Sequence, residues 1–116
     1  MKLVPHPLLE RDIIGMAEHV FRVTGDPEAA RRRLAETRAL IGDIMREPAL
    51  GSRLGEQAEG WRIRHGARDR RISVVFRHDP EADRLYLALV AFGGQDWTTR
   101  LAARTRHFGA WASSGR

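Results

Sequence analysis

Five arginines crowd into the ten residues from Arg62 to Arg71, at positions 62, 64, 68, 70 and 71, with Asp69 the only acid among them. The surrounding stretch, WRIRHGARDRRISVVF from Trp61 to Phe76, places its apolar residues at strand spacing. It predicts a hairpin with Trp61, Ile63, Ile72 and Val74 on one face and arginines on the other. Arginine presents a planar fork of donors that fits phosphate or carboxylate. The chemistry on offer is therefore anion recognition, with RNA, an acidic partner protein or plain solvent as the counterpart. A register with Arg64 opposite Arg71, Ile63 opposite Ile72 and Trp61 opposite Val74 brings Arg62, Arg64 and Arg71 to one side of the sheet. Like charges placed opposite each other cost stability, which points to a compensating anion. The plain alternative is that the long side chains spread into water and bury only their stems. His65 stands beside the arginines and could serve as an acid or base; a surface histidine at a strand end is the simpler reading.

Other chemistry finds little support. The chain has no cysteine, which excludes a disulfide framework, a Cys-based zinc site and a Cys nucleophile. His6, His19, His65, His78 and His107 are scattered, and none pair at the i, i+4 spacing of a helical metal site. Ser52, Ser73, Ser113 and Ser114 form no G-x-S-x-G elbow, and there is no P-loop or dinucleotide fingerprint. No cofactor and no metal is expected. Arg31-Arg32-Arg33 circles its helix and reads as surface, as do the Glu28 and Glu10 pairings with nearby arginines. Trp97 and Trp111 follow the last strand, where large aromatics seal a core edge or anchor a partner.

With 116 residues, 42% of them hydrophobic, the chain fits one domain with one modest core. Residues 1–111 are expected to form it, and residues 112–116 to fray. The net charge is +5, and among 20 Lys+Arg the only lysine is Lys2. A GC-rich coding bias accounts for arginine over lysine, but not for where the arginines cluster. MKLVPHPLLERD lacks the apolar core of a signal peptide, and no apolar run approaches membrane-span length. The expected setting is cytoplasmic, with no membrane partner.

The elements that must position the arginines follow from periodicity. Lys2–Val4 reads as a short edge strand broken by Pro5 and Pro7. Leu9, Ile13, Met16, Ala17, Val20 and Phe21 make one helical stripe from Leu8 to about Thr24. Gly25 stops that helix, and Asp26-Pro27 opens another as N-cap and first-turn proline. The second helix runs to about Glu47 with Ala30, Leu34, Ile41, Ile44 and Met45 inward, and Pro48 ends it. The short link makes the pair an antiparallel hairpin. After a glycine-punctuated loop come three strands, Trp61–His65, Arg71–His78 and Arg84–Phe92. The last is apolar on both faces, as a covered central strand must be. Thr98–Phe108 reads as a third, short helix. The expected class is α+β: a short N-terminal strand, a helix hairpin packed on one face of a three- to four-stranded antiparallel sheet, and a C-terminal helix as candidate cover for the other face.

This order of elements, with DPEAARR at Asp26–Arg32, EPALG at Glu47–Gly51, WRIR at Trp61–Arg64, RISVVFRHD at Arg71–Asp79 and LVAFGGQDW at Leu89–Trp97, resembles the RelE/ParE superfamily of toxins from bacterial toxin–antitoxin systems. The likeness spans roughly residues 2–101. DPEAARR and the P-x-L-G turn are similar to the plasmid-stabilisation, ParE-like branch. The resemblance implies a type II toxin neutralised by a cognate antitoxin, the two forming a hetero-oligomer in which an antitoxin segment wraps the toxin. ParE-like members inhibit DNA gyrase and cut nothing. RelE-like members bind the ribosome and cut mRNA, using basic side chains to hold phosphate and stabilise developing charge. On that pattern Arg62 and Arg64 match two basic positions of the first meander strand, and Arg71 matches the arginine opening the next. His65 joins them as a target or RNA contact. Gln95 stands where the ribonucleases carry a further arginine. Their C-terminal tyrosine has no match near Leu101, since the only tyrosine, Tyr86, is mid-strand. The partial match favours the ParE-like reading. The alternatives are a ribosome-dependent mRNA endoribonuclease and a non-toxic orphan that only binds a partner.

Overall fold

The structure is a computed structural model that describes residues 1–93, 95 and 97–109. Trp111 and the tail expected to fray, like Gly94 of the Gly93-Gly94 pair, lie outside the described residues. The order is β1 (Lys2–Pro5), α1 (Leu9–Thr24), α2 (Pro27–Arg46), β2 (Ser52–Arg53), β3 (Arg62–Gly66), β4 (Ile72–Asp79), β5 (Arg84–Phe92) and α3 (Thr98–His107).

The two long helices form where the periodicity places them. α1 buries Leu9, Met16 and Val20. It ends at Gly25, whose left-handed φ of 67° lets its N–H reach the Phe21 carbonyl at 2.7 Å. Only Gly25 and Asp26 separate the helices, so α2 must run back along α1. Asp26 caps α2 by accepting from the Glu28 N–H at 2.9 Å, and Pro27 fills the first turn. The inward face of α2 centres on Thr37, Leu40 and Ile44. Ala30, Ile41 and Met45 pack at its margin. Thr37, fully buried, satisfies its hydroxyl on the Arg33 carbonyl at 2.8 Å.

The sheet has five strands in the order β1-β5-β4-β3-β2, one more than the upper expectation, and it is mixed. β1 pairs parallel to β5, with Leu3 opposite Leu85 and Val4 opposite Tyr86, while the other neighbours are antiparallel. The extra strand, β2, pairs only Ser52 and Arg53 with Ile63 and Arg62, and two polar residues carry no period to read.

The helix pair covers one face, where Ile72, Val74, Phe76, Leu85, Leu87, Val90 and Phe92 meet α1 and α2. On the other face Trp61, Ile63, Val75, Tyr86 and Leu89 pack against Leu101 and Phe108. α3 is thus the cover of that second face. β5 is buried on both sides from Leu85 to Phe92, as its continuous apolar run requires. It also carries a β-bulge: Val75 faces Leu89 and Phe76 faces Leu87, so Ala88 is the extra residue.

Beyond Leu87, where β1 stops, side chains bond to the backbone of β5. Arg104 Nη1 donates to the Ala88 carbonyl at 2.9 Å, the Val90 N–H donates to Asp12 at 3.1 Å, and the Phe92 N–H donates to Gln95 Oε1 at 2.9 Å. Asp12 and Arg104 also pair with each other through two parallel contacts of 2.8 and 2.6 Å. Their side chains are only 5% and 8% exposed. Arg100 adds a third contact to Asp12 at 3.0 Å. One carboxylate on α1 therefore fastens α3 and the bulged half of β5 together.

Candidate binding surface

The β3–β4 hairpin does not have the expected register. Arg62 faces Phe76, Ile63 faces Val75, Arg64 faces Val74, His65 faces Ser73 and Gly66 faces Ile72. The pairing is offset by three residues from the one that sets Arg64 against Arg71. The cause lies in the connection. Ala67 and Arg70 both adopt left-handed φ, 71° and 58°, and the Arg70 N–H closes on the Ala67 carbonyl at 3.2 Å. Nothing in the identity of an alanine or an arginine announces that conformation. An odd offset moves partners to opposite faces, so the arginine cluster divides.

Arg62 and Arg64 share the helix side of the sheet with Phe76 and Val74. Both are half-buried. Arg62 Nη1 donates to the Gly51 carbonyl at 3.1 Å. Arg64 Nη1 is buried with no acceptor among the described residues. His65 lies on the opposite face, where its Nδ1 and Ser73 Oγ are 2.6 Å apart. Arg71 precedes β4 and stands about 10 Å along the ladder from Arg64, at three residues of about 3.4 Å each. Its guanidinium carbon sits 4.7 Å from the centre of the Phe92 ring. Gly93 makes room for it: with φ of 62°, any side chain there meets Arg71 Nη2 at 2.7 Å.

Arg71 belongs instead to a cleft of about 350 Å³ at the end of the sheet. The C-terminal half of α1, the first turns of α2 and the β3–β4 loop enclose it. Arg33 reaches over Phe92 at 4.9 Å, so two guanidinium groups lie against one ring, an arrangement favoured by the ring's negative faces. Arg33 holds both acids of the cleft, Glu36 at 3.3 Å and Asp69 through contacts of 3.0 and 2.6 Å. Arg32, Arg68 and Arg71 also line it, and none of their side chains has an acidic partner among the described residues. Arg68 is part of this cleft, and so is Arg32, expected to be plain surface.

Asp69 is the strut of the loop. Besides Arg33, it accepts from the Arg71 N–H at 3.2 Å. The hydrogen bonds from Arg33 hold its carboxyl at about 2, below the ordinary 3.8, with the Arg71 N–H assisting. Because the folded value is depressed, the tie stabilises fully above about pH 4 and is lost as pH falls toward 2. An acid titration followed by NMR should therefore move the Arg33 guanidinium and Arg71 amide signals together in that window. The Asp69→Asn variant should show no such step. Movement only above pH 5 would contradict the assignment.

The sequence reading missed the helix contributions to this cleft, Arg33 above all. Its signal was position: Arg33 lies on the same stripe as Ala30, Thr37, Leu40 and Ile44. Gln95, matched to a ribonuclease arginine, is engaged at the end of β5 through both its side chain and its backbone N–H, which donates to the Phe92 carbonyl at 3.3 Å. Among the described residues no group of three or more metal-ligating side chains occurs, and no helix is long and apolar enough to cross a membrane.

No protein-family profile matches the chain, and no curated protein matches it. Among solved structures, a chain of the chromosomal ParDE TA system from P. aeruginosa has a similar fold, with a TM-score of 0.66 and 16% identity. The match covers 80% of this chain and 96% of that one. The architecture is thus the ParE/RelE-like fold that the element order implies.

Proposed function

We propose that the protein is the toxin of a type II toxin–antitoxin system of the ParE-like kind, acting in the cytoplasm on a macromolecular target such as DNA gyrase and neutralised by a cognate antitoxin. The fold shared with a chain of a ParDE system over 80% of the sequence carries this reading. The dispersal of the basic side chains supports binding over cleavage. Arg62 and Arg64 lie on one face, His65 on the other, and Arg71 is stacked on Phe92, whereas catalysis of phosphoryl transfer needs such groups converging on one phosphate. Arg62, Arg64, Arg71 and His65 are then contacts spread along a basic hairpin that meets the target or the antitoxin.

Expression of the chain alone tests the reading. Growth should stop, and co-expression of the protein encoded beside it should restore growth. The Arg62→Ala/Arg64→Ala/Arg71→Ala variant should fold and lose the effect. Purified protein should inhibit gyrase supercoiling, and primer extension of cellular mRNA should show no new ends. Codon-aligned cleavage would establish the ribonuclease alternative instead, and normal growth would defeat the toxin reading altogether.

A further inference from the structure

We infer that the cleft between α1, α2 and the β3–β4 loop is a peptide-binding site, taking a partner segment in which an aspartate or glutamate stands beside an apolar side chain. The inference goes beyond the toxin reading and rests on the cleft alone.

Charge is the first argument. The two acids of the cleft are both engaged by Arg33, so Arg32, Arg68 and Arg71 bring three positive charges to its wall without an acidic partner among the described residues. Guanidinium groups without an acidic partner among the described residues favour a carboxylate, to which each can donate in parallel.

Apolar surface is the second. Val20, Val23 and Ala29 line the same cleft, and Val23 is 70% exposed. An ordinary helix end would present polar side chains there. An apolar side chain seated on these three residues leaves water at the spot where its neighbouring carboxylate meets the arginines. Binding then draws on both burial and charge.

Size and the state of the ring decide between peptide and nucleic acid. A volume of 350 Å³ lies at the small end of ligand cavities, about 300–1,000 Å³, enough for one or two side chains. Single-stranded nucleic acid needs open aromatic faces on which bases stack. Phe92 is only 6% exposed, and two guanidinium groups already lie against it.

The loop is held ready for this role. Asp69 fixes Arg33 and the Arg71 backbone at once, and Ala67 and Arg70 are kept at left-handed φ. Backbone strain of this sort persists only where surrounding contacts enforce it. The loop backbone, and Arg71 against the Phe92 ring, therefore meet a ligand without first being ordered, which lowers the entropic cost of binding.

The experiment is an NMR titration of the intact ¹⁵N-labelled protein, arginine side-chain signals included, with the hexapeptide Gly-Asp-Leu-Asp-Leu-Gly up to millimolar concentration. The Asn version of the peptide and a U8 oligonucleotide form the other arms. The Asp peptide should shift the Arg32, Arg68 and Arg71 side-chain signals and the Val20 and Val23 amides. The Asn version should bind at least ten-fold more weakly. Arg32→Gln/Arg68→Gln/Arg71→Gln, checked for folding by circular dichroism, should also weaken binding at least ten-fold, while Arg84→Gln should bind as the parent does. Equal binding of the two peptides, unchanged binding by the triple variant, no shift at all, or U8 occupying the cleft more tightly than the Asp peptide would each overturn the inference. Growth is not read in this experiment, so its failure leaves the toxin reading standing, and a failure of growth arrest leaves the cleft standing.

Discussion

Replacing Asp12 with alanine should destabilise the protein by about 3–5 kcal/mol, the cost of leaving a buried cation without its partner. Arg104 is 6% exposed and is held by Asp12 through two contacts of 2.8 and 2.6 Å. Without the carboxylate it keeps, among the described residues, only the Ala88 carbonyl at 2.9 Å, and the Val90 N–H loses its acceptor as well. Thermal unfolding followed by circular dichroism should show a fall of about 12–20 °C for a chain this size. Removing the charge together with its counterpart should do less harm, so Asp12→Ala/Arg104→Met should recover much of the loss. A change of under about 1 kcal/mol in the single variant would mean that Arg104 swings out to water, and that the pair does not fasten α3.

The second large effect belongs to Phe108, immediately after α3. It is fully buried. Its ring centre lies 5.6 Å from that of Trp61, 5.4 Å from Tyr86 and 5.9 Å from His6. Such offset and edge-on pairs add about 0.5–1.5 kcal/mol each beyond burial. Phe108→Ala should cost about 3–5 kcal/mol in urea unfolding. Tryptophan emission should shift red at low denaturant as Trp61 is uncovered. Phe108→Leu, which fills more of the space, should cost clearly less. Because Asp12 and Phe108 secure the same helix from two sides, the double alanine variant should cost less than the sum of the single ones, the excess measuring how far α3 is already released by either change. Strict additivity would show that the two anchors act on separate elements.

Most of the frame was legible because it rests on local rules. Asp26-Pro27 announced the start of α2, Gly25 the end of α1, and the run from Arg84 to Phe92 a strand covered on both faces; each sits where its period places it. The parts that were not legible are those decided by tertiary context. The parallel pairing of β1 depends on which way the helix pair returns the chain. The register of β3 and β4 depends on two left-handed residues that are neither glycine nor asparagine. A single odd offset there was enough to separate Arg62 and Arg64 from Arg71, while His65, the next residue of the strand, faces the other side in any register.

The charged residues that do most for the fold had a signal in plain sight. Asp12 shares the stripe of Leu9, Ile13, Met16 and Val20; Arg33 that of Ala30, Thr37, Leu40 and Ile44; Arg104 that of Leu101, Thr105 and Phe108. A charge on the inward face of an amphipathic helix must find a partner or leave the face. All three found one. Reading arginines by how densely they cluster favoured the hairpin, whereas reading them by the helical face they occupy leads to the cleft and to the α3 fastening.

The bonds that Arg104, Asp12 and Gln95 make to β5 also determine how the sheet can grow. An unpaired strand margin is a template for any passing chain, in aggregation as in recognition. Along β5 past the end of β1 that template is already occupied at Ala88, Val90 and Phe92, so an incoming strand finds no free ladder on that stretch. At the far side β2 protects only two residues of β3, which leaves Arg64–Gly66 as the open rung. Past the end of β1, addition of a strand is thereby directed to the β3 margin rather than to β5, and the like-charged arginines beside that margin disfavour a second copy of the same chain as the strand that is added.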